Sequence, residues 1–213
     1  MSNRVVDISV SALALLLFMP LLFALSALIL IADGPPILYS QTRVGRKGKL
    51  FRIWKFRTMR PHGRGALITA TGDNRVTPVG AVLRKLKLDE LPQLLNVLKG
   101  DMSLIGPRPE IPEFVSMGAP IWQAVLQVRP GVTDLATLLF RDEERMLGAT
   151  TDPIAFYRET VLPAKLVLNL GYLQYRSFGR DLKLLVLTVA YSFFPKAFDS
   201  DRIERTVGAG VMK

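Results

Sequence analysis

Two adjacent carboxylates, Asp89 and Glu90, lie inside the apolar frame Leu86-Lys-Leu-Asp-Glu-Leu-Pro-Gln-Leu94. Neighbours on a helix point about 100° apart, so the pair is not arranged to share one proton. The two groups could instead take different roles round one reaction centre. An ionised carboxylate can attack phosphorus, and the dipole of a helix N-terminus favours the ionised form. The same residues also read as a plain helix start, with Asp89 as the cap and Glu90 as a first-turn acid. Local chemistry leaves both readings open.

A second group of candidates is cationic: Lys55, Arg57, Arg108, Arg129 and Arg141. The planar fork of arginine matches two oxygens of a phosphate, and several of these residues sit in turns; a solvated or lipid-facing basic surface is the alternative for each. The single histidine, His62, lies in a polar run with no identifiable partner and is not a catalytic candidate. There is no cysteine, which excludes disulfides, a thiol nucleophile and a cysteine metal site.

Across the 213 residues, 28 Lys and Arg stand against 18 Asp and Glu, a net charge of +10. This balance favours anionic partners: phosphorylated substrates, anionic lipid or nucleic acid. Nucleic acid fits poorly, because the 8% of aromatic residues do not alternate with basic ones as a stacking platform requires. No glycine pattern resembles a P-loop. Mean hydropathy is +0.27, and the first 35 residues carry much of the excess.

Those residues include an uncharged run, ISVSALALLLFMPLLFALSALILIA, from Ile8 to Ala32. A straight helix of this length crosses the roughly 30 Å hydrocarbon core of a bilayer. Pro20, near its middle, should kink it, and basic residues flank both ends (Arg4, then Arg43, Arg46, Lys47 and Lys49). A spanning helix and a kinked helix that returns to the same face both remain open on these grounds. Residues 1–35 are therefore expected to form a membrane unit, and 36–213 a separate globular domain.

In that domain, residues 37–42 and 50–56 are β-prone and flank a glycine-containing turn, which predicts a hairpin. Residues 60–78 read as a flexible loop. Helical periodicity begins at Val79, with a bend expected near Leu88–Asp89 ahead of Pro92 and a stop at Gly100. Turns are expected at 106–109 and 129–133, and partial helix between Ile111 and Gln127. Asp152-Pro153 opens a helix interrupted at Pro163. The apolar stretch Leu182–Phe194 is too short to span, so it is a core or interface helix. The tail from Gly208 is expected to be disordered.

Five ordered blocks give the chain its resemblance. They are Gln41-x-Arg43-x-Gly45-x-x-Gly48-x-x-Phe51, Lys55-Phe-Arg-Thr-Met59, Leu86-x-Leu-Asp-Glu-Leu-Pro-Gln-Leu94, Asn96 through the Gly-Pro-Arg-Pro109 turn, and Arg129-Pro-Gly-Val-Thr133. In this order they resemble the bacterial sugar transferases of the monotopic phosphoglycosyl transferase superfamily. The resemblance implies that Asp89 attacks the β-phosphate of a UDP-sugar, releasing UMP, and that polyprenyl (undecaprenyl) phosphate then takes up the phosphosugar. It implies Glu90 as a ligand of Mg²⁺, and Arg108 and Arg141 on phosphate. It also implies an N-terminal re-entrant helix broken at Pro20, with the catalytic domain on the cytoplasmic face of the bacterial inner membrane.

The chain departs from the family pattern twice. Met19 stands where a serine often precedes the proline, and after Thr133 the family's polar Gly-Trp-Ala-Gln-Val-Asn-Gly-Arg is replaced by Asp134-Leu-Ala-Thr-Leu-Leu-Phe-Arg141. The second change puts sugar or nucleotide specificity in question. The expected fold is mainly α with a small β-hairpin (α+β), a re-entrant N-terminal helix and amphipathic interface helices. The expected partners are a UDP-sugar, polyprenyl phosphate and membrane lipids, with no nucleic acid. The competing reading is a non-enzymatic, membrane-anchored basic protein that docks an acidic partner or nucleic acid.

Overall fold

The computed structural model describes residues 4–60, 68–194, 198–203 and 207; His62 and the tail from Gly208 lie outside them. Helices α1 (Arg4–Leu17) and α2 (Met19–Asp33) carry the apolar run and meet at an angle of 61° around Phe18. Pro20 falls in the first turn of α2, where its missing N–H costs nothing and its ring prevents a straight continuation from α1. Among the described residues no single helix is long and apolar enough to cross a membrane, and only this bent pair passes that test jointly.

Both ends of the pair are fastened to the same globular body. At the start of α1, Arg4 donates to the carbonyls of Val97 (2.6 Å) and Leu98 (2.9 Å). One turn later the buried Asp7 accepts from the Ser103 hydroxyl (2.8 Å) and the Leu104 amide (3.2 Å). At the end of α2, Arg57 donates to the carbonyls of Asp33 (2.8 Å), Gly34 and Pro35 (2.6 Å), and Thr77 donates to the Asp33 carboxylate (2.9 Å). Leu25 and Ile29 pack with Phe56 and Leu83. The opposite faces, including Leu13, Leu16, Leu17, Phe23 and Ile31, are exposed apolar surface.

The expected hairpin is present: β1 (Leu38–Val44) pairs antiparallel with β2 (Leu50–Phe56), in register from Leu38 opposite Phe56 to Val44 opposite Leu50. Helix α3 (Pro78–Lys85) follows, capped by Thr77, whose hydroxyl accepts from the Gly80 amide at 2.9 Å. The chain then breaks at Lys87, in the left-handed region, and makes a 3₁₀ turn over Leu88–Glu90. Helix α4 (Gln93–Lys99) starts beyond Pro92 and ends at Gly100, which is left-handed. Asp89 therefore lies inside the 3₁₀ turn and caps nothing, contrary to the capping expectation.

The turn-forming blocks 106–109 and 129–133 turn out to frame a second sheet. Strand β3 (Ser103–Ile105) pairs in parallel with β4 (Gly131–Thr133), across a short helix α5 (Pro120–Val125). The two glycines of these blocks allow it. A Cβ on Gly131 would lie 2.1 Å from the Gly106 amide nitrogen, and one on Gly106 would lie 2.5 Å from the Arg129 carbonyl oxygen. Only bare backbone permits that approach.

Helices α6 (Leu135–Leu139), α7 (Glu143–Gly148) and α8 (Pro153–Phe156) complete the wall; Asp152 caps α8 through the Ile154 and Ala155 amides. The interruption expected near Pro163 takes the form of a π turn, Tyr157–Val161, that leads directly into α9 (Leu162–Gln174). Helix α10 (Phe178–Phe193) buries Leu184 and Tyr191 in the main core, with Ile53, Val97 and Leu135. It leaves Leu182, Val186, Val189 and Phe193 exposed along one stripe. A final turn, α11 (Ser200–Ile203), buries Ile203. The fold is thus mainly helical with small sheets.

Candidate active site

A cavity of about 530 Å³ opens between the hairpin, the 3₁₀ turn, the Pro-Arg-Pro turn and the wall from α7 to α9. Asp89, Lys55 and Arg108 all line it. They come from different elements, β2, the turn after Lys87, and the segment following β3, so the tertiary fold assembles them.

Glu90 lies beside this lining and is clamped. Lys55 Nζ approaches its Oε1 at 3.0 Å, and Arg108 grips both oxygens, Nη1 to Oε2 at 3.1 Å and Nη2 to Oε1 at 2.5 Å. Burial alone would push the Glu90 carboxyl up, but Arg108 and Lys55 outweigh it and hold the group well below the ordinary carboxylate range. In return, although burial opposes its charge, Glu90 together with Asp134 and Glu110 raises the Arg108 guanidinium above its usual value. Lys55 moves the other way: burial lowers it, and the attraction of Glu90 only partly compensates.

Asp89 is the opposite case. It is buried, and its Oδ1 has no hydrogen-bond partner in the protein. Burial and the adjacent Glu90 charge raise its proton affinity, against the pull of Lys55, Lys87 and Arg84. The expectation that a helix dipole holds Asp89 ionised is thus corrected: no helix begins at Asp89, and dehydration governs the local balance. An anion held in this way is poorly solvated and a strong nucleophile.

The other predicted cations lie elsewhere. Arg57 borders the cavity, but its terminal nitrogens are directed at the carbonyls that end α2. Arg129 is not in the cavity lining and donates to the Gly100 carbonyl at 3.0 Å. Arg141, also outside it, donates to the Tyr191 carbonyl of α10. The structure brings Lys55 and Arg108 to the carboxylate pair and leaves these three in bonds to the backbone.

Sequence reasoning passed over several residues that line the same cavity. Arg43 donates to the Pro109 carbonyl (3.1 Å) and lies 3.8 Å from Glu110. Burial lowers the Arg43 guanidinium despite that carboxylate. The buried Glu110 accepts from the Tyr157 hydroxyl at 2.7 Å, and burial together with Glu110 raises the Tyr157 phenol far above its normal range. Lys165, on α9, pairs with Glu143. Arg43 lies in the first motif block and Glu110 directly follows the Gly-Pro-Arg-Pro109 turn, whereas nothing local marks Tyr157 or Lys165.

The cavity thus sets a buried carboxylate with an unpartnered oxygen beside two cations, groups suited in type to phosphate-bearing substrates. Comparison with known proteins agrees: the bacterial sugar transferase model matches residues 1–195, and the chain belongs to that family. It is 40% identical over 192 residues to a UDP-glucose:undecaprenyl-phosphate glucose-1-phosphate transferase of Caulobacter vibrioides, covering 88% of this chain and 68% of that one. It is 45% identical over 142 residues to a UDP-N-acetylgalactosamine-undecaprenyl-phosphate N-acetylgalactosaminephosphotransferase of Aeromonas hydrophila, covering 64% of this chain and 34% of the relative. An Escherichia coli UDP-glucose:undecaprenyl-phosphate glucose-1-phosphate transferase is 33% identical over 201 residues, covering 92% and 41%. The chain therefore spans from about a third to about two thirds of the length of these relatives. The family and these relatives are transferases, which speaks against a non-enzymatic docking protein.

The two carboxylates should respond oppositely to neutralisation. Glu90→Gln leaves two half-buried cations uncompensated and should lower stability by about 1–3 kcal/mol. Asp89→Asn removes a buried, unpaired charge and should leave thermal stability unchanged or higher. Melting curves of the two variants in one detergent check this, and equal losses would contradict it.

Proposed function

We propose that the protein is a phosphoglycosyl transferase that moves the phosphosugar of a UDP-sugar onto undecaprenyl phosphate, as a membrane step in polysaccharide assembly. The observation that carries this reading is the unpaired, buried Asp89 carboxylate in a cavity beside Lys55 and Arg108. The substrates named for the relatives support it.

In the first half-reaction an Asp89 oxygen attacks the β-phosphorus of the UDP-sugar. The bond from that phosphorus to the oxygen bridging the two phosphates breaks, and UMP leaves with the electron pair. The product is an acyl phosphate ester in which Asp89 has given up its charge, so the dehydration that destabilises the carboxylate anion favours the intermediate. In the second half-reaction a phosphate oxygen of undecaprenyl phosphate attacks the same phosphorus, the aspartyl ester bond breaks, and the carboxylate returns. Arg108 and Lys55 neutralise the phosphoryl oxygens as charge builds on them. Glu90 holds both cations in place between the steps.

Mg²⁺ fits this donor set. Among the described residues no cluster of three or more metal-binding side chains occurs, but Mg²⁺ takes one or two carboxylates together with substrate phosphates. Asp89 Oδ1 has unused lone pairs, and Glu90, with three donors on about four acceptor positions, keeps one on Oε2. When bound there, the ion would supply charge neutralisation on the diphosphate.

We also read the bent helix pair as a re-entrant membrane anchor at the cytoplasmic face of the inner membrane. Arg4 and Arg57 fasten its two ends to one globular body, which a straight span would separate by the thickness of the bilayer. The exposed apolar stripe of α10 suits a helix lying at the interface.

Purified protein with UDP-glucose or UDP-N-acetylgalactosamine, undecaprenyl phosphate and Mg²⁺ should release UMP, and Asp89→Asn should lower that rate at least about 10³-fold, as loss of a nucleophile does. Retained UMP release in the variant, or none from wild type across a broad UDP-sugar panel, would sink the reading. For the anchor, cysteines placed at positions 3 and 36 should both react with an impermeant thiol reagent from the cytoplasmic side only. Labelling from opposite sides would refute re-entry.

A further inference from the structure

The segment Pro107-Arg108-Pro109 has an unusual poverty of donors. Neither proline carries an N–H, so the Arg108 amide is the only backbone donor of the three residues. That amide donates to Asp134 Oδ2 at 2.7 Å. Asp134 is almost wholly buried, with 1% of its surface exposed. Its Oδ2 also accepts from the Asn169 side-chain amide of α9 at 2.9 Å, and its Oδ1 accepts from the Thr137 amide in the first turn of α6. One carboxylate thus ties together the phosphate-facing turn, the start of α6 and the helix that carries Lys165.

Asp134 also occupies a mechanically stiff position. It directly follows β4, and the ladder around it locks that strand to the turn: Gly106 donates to the Thr133 carbonyl (3.1 Å) and Gly131 to the Pro107 carbonyl (3.0 Å). Arg108 is consequently held at both ends. Asp134 fixes its backbone, and Glu90 fixes its guanidinium. A carboxylate suits the task because both its oxygens accept. An asparagine would turn an NH₂ group toward either the Arg108 amide or the Thr137 amide and lose one of the two.

We propose that Asp134 is a positioning residue for transfer: by binding the lone backbone donor of the Pro-Arg-Pro turn it sets where the Arg108 guanidinium meets the substrate diphosphate. The altered segment after Thr133 then serves the general phosphate machinery rather than sugar or nucleotide specificity. This inference rests on the reaction proposed above, but one of its consequences does not. The Arg108 amide must be protected from exchange by Asp134 whether or not the protein turns over.

The test uses the full chain in detergent or nanodiscs, with the variants Asp134→Asn, Arg108→Lys and the double variant. Hydrogen exchange should show the amide of Arg108 exchanging at least about tenfold faster in Asp134→Asn, while peptides from the β1–β2 hairpin keep their wild-type rates. Unchanged exchange at Arg108 would overturn the inference without touching the assigned reaction. With UDP-glucose or UDP-N-acetylgalactosamine as probe, Asp134→Asn should lower kcat/KM for UMP release by about 10–100-fold, the range typical of residues that orient a site's primary ligands. In the Arg108→Lys background the same change should cost less than about threefold, because residues acting through one another are not additive. A full additive loss would mean that Asp134 only supports the fold, and would overturn the inference. Wild type that shows the protected amide but releases no UMP would refute the reaction and leave the contact standing.

Discussion

Two cations converge on Glu90, and much of the site's chemistry depends on that convergence. Lys55 and Arg108 come from elements far apart in the chain, and one half-buried carboxylate compensates both. With Glu90 so engaged, its neighbour Asp89 is left dehydrated and without a partner on Oδ1. The asymmetry between adjacent acids therefore arises from tertiary placement. Dehydration and the fixed Glu90 charge raise the free energy of the Asp89 anion, and in the proposed reaction an ester to phosphorus would relieve both. The same clamp directs the Arg108 guanidinium to Glu90.

The scaffold round this clamp is built from backbone constraints. Gly106 and Gly131 let two chain segments touch backbone to backbone, so β3 and β4 can pair in parallel and deliver Arg108 to the cavity. The left-handed Lys87 and the following 3₁₀ turn deliver Asp89 and Glu90. The π turn at Tyr157–Val161 lets the chain pass Pro163 while remaining helical, and it carries Tyr157 to Glu110 in the cavity lining. The bent helix pair belongs to this scaffold too, since Arg57 binds the last carbonyls of α2 from a position on the cavity rim.

The features legible in the sequence were those with a local cause. The hairpin, the bend at Pro20, the stop at Gly100 and the Asp152 cap each follow from one or two residues' backbone preferences. Asp89, Glu90, Lys55 and Arg108 could be nominated from residue type and resemblance. Their arrangement could not be read, because the bonds joining them span 18 and 35 positions. Arg57, Arg129 and Arg141 show the limit from the other side. Each looks like a phosphate ligand by type and turn context, yet each donates to carbonyls whose approach depends on the whole fold. The β3–β4 pair was hidden for a similar reason: its strands are three residues long and flanked by turn formers.

The central claim is that Asp89 carries the phosphosugar covalently between two half-reactions. Intact-mass spectrometry of the protein after brief incubation with UDP-glucose or UDP-N-acetylgalactosamine and Mg²⁺, with undecaprenyl phosphate withheld, tests it most directly. The account predicts an added mass equal to one phosphosugar in wild type, its disappearance when undecaprenyl phosphate is supplied, and no adduct in Asp89→Asn. An active wild-type protein that never shows the adduct, or an adduct that survives Asp89→Asn, would contradict it.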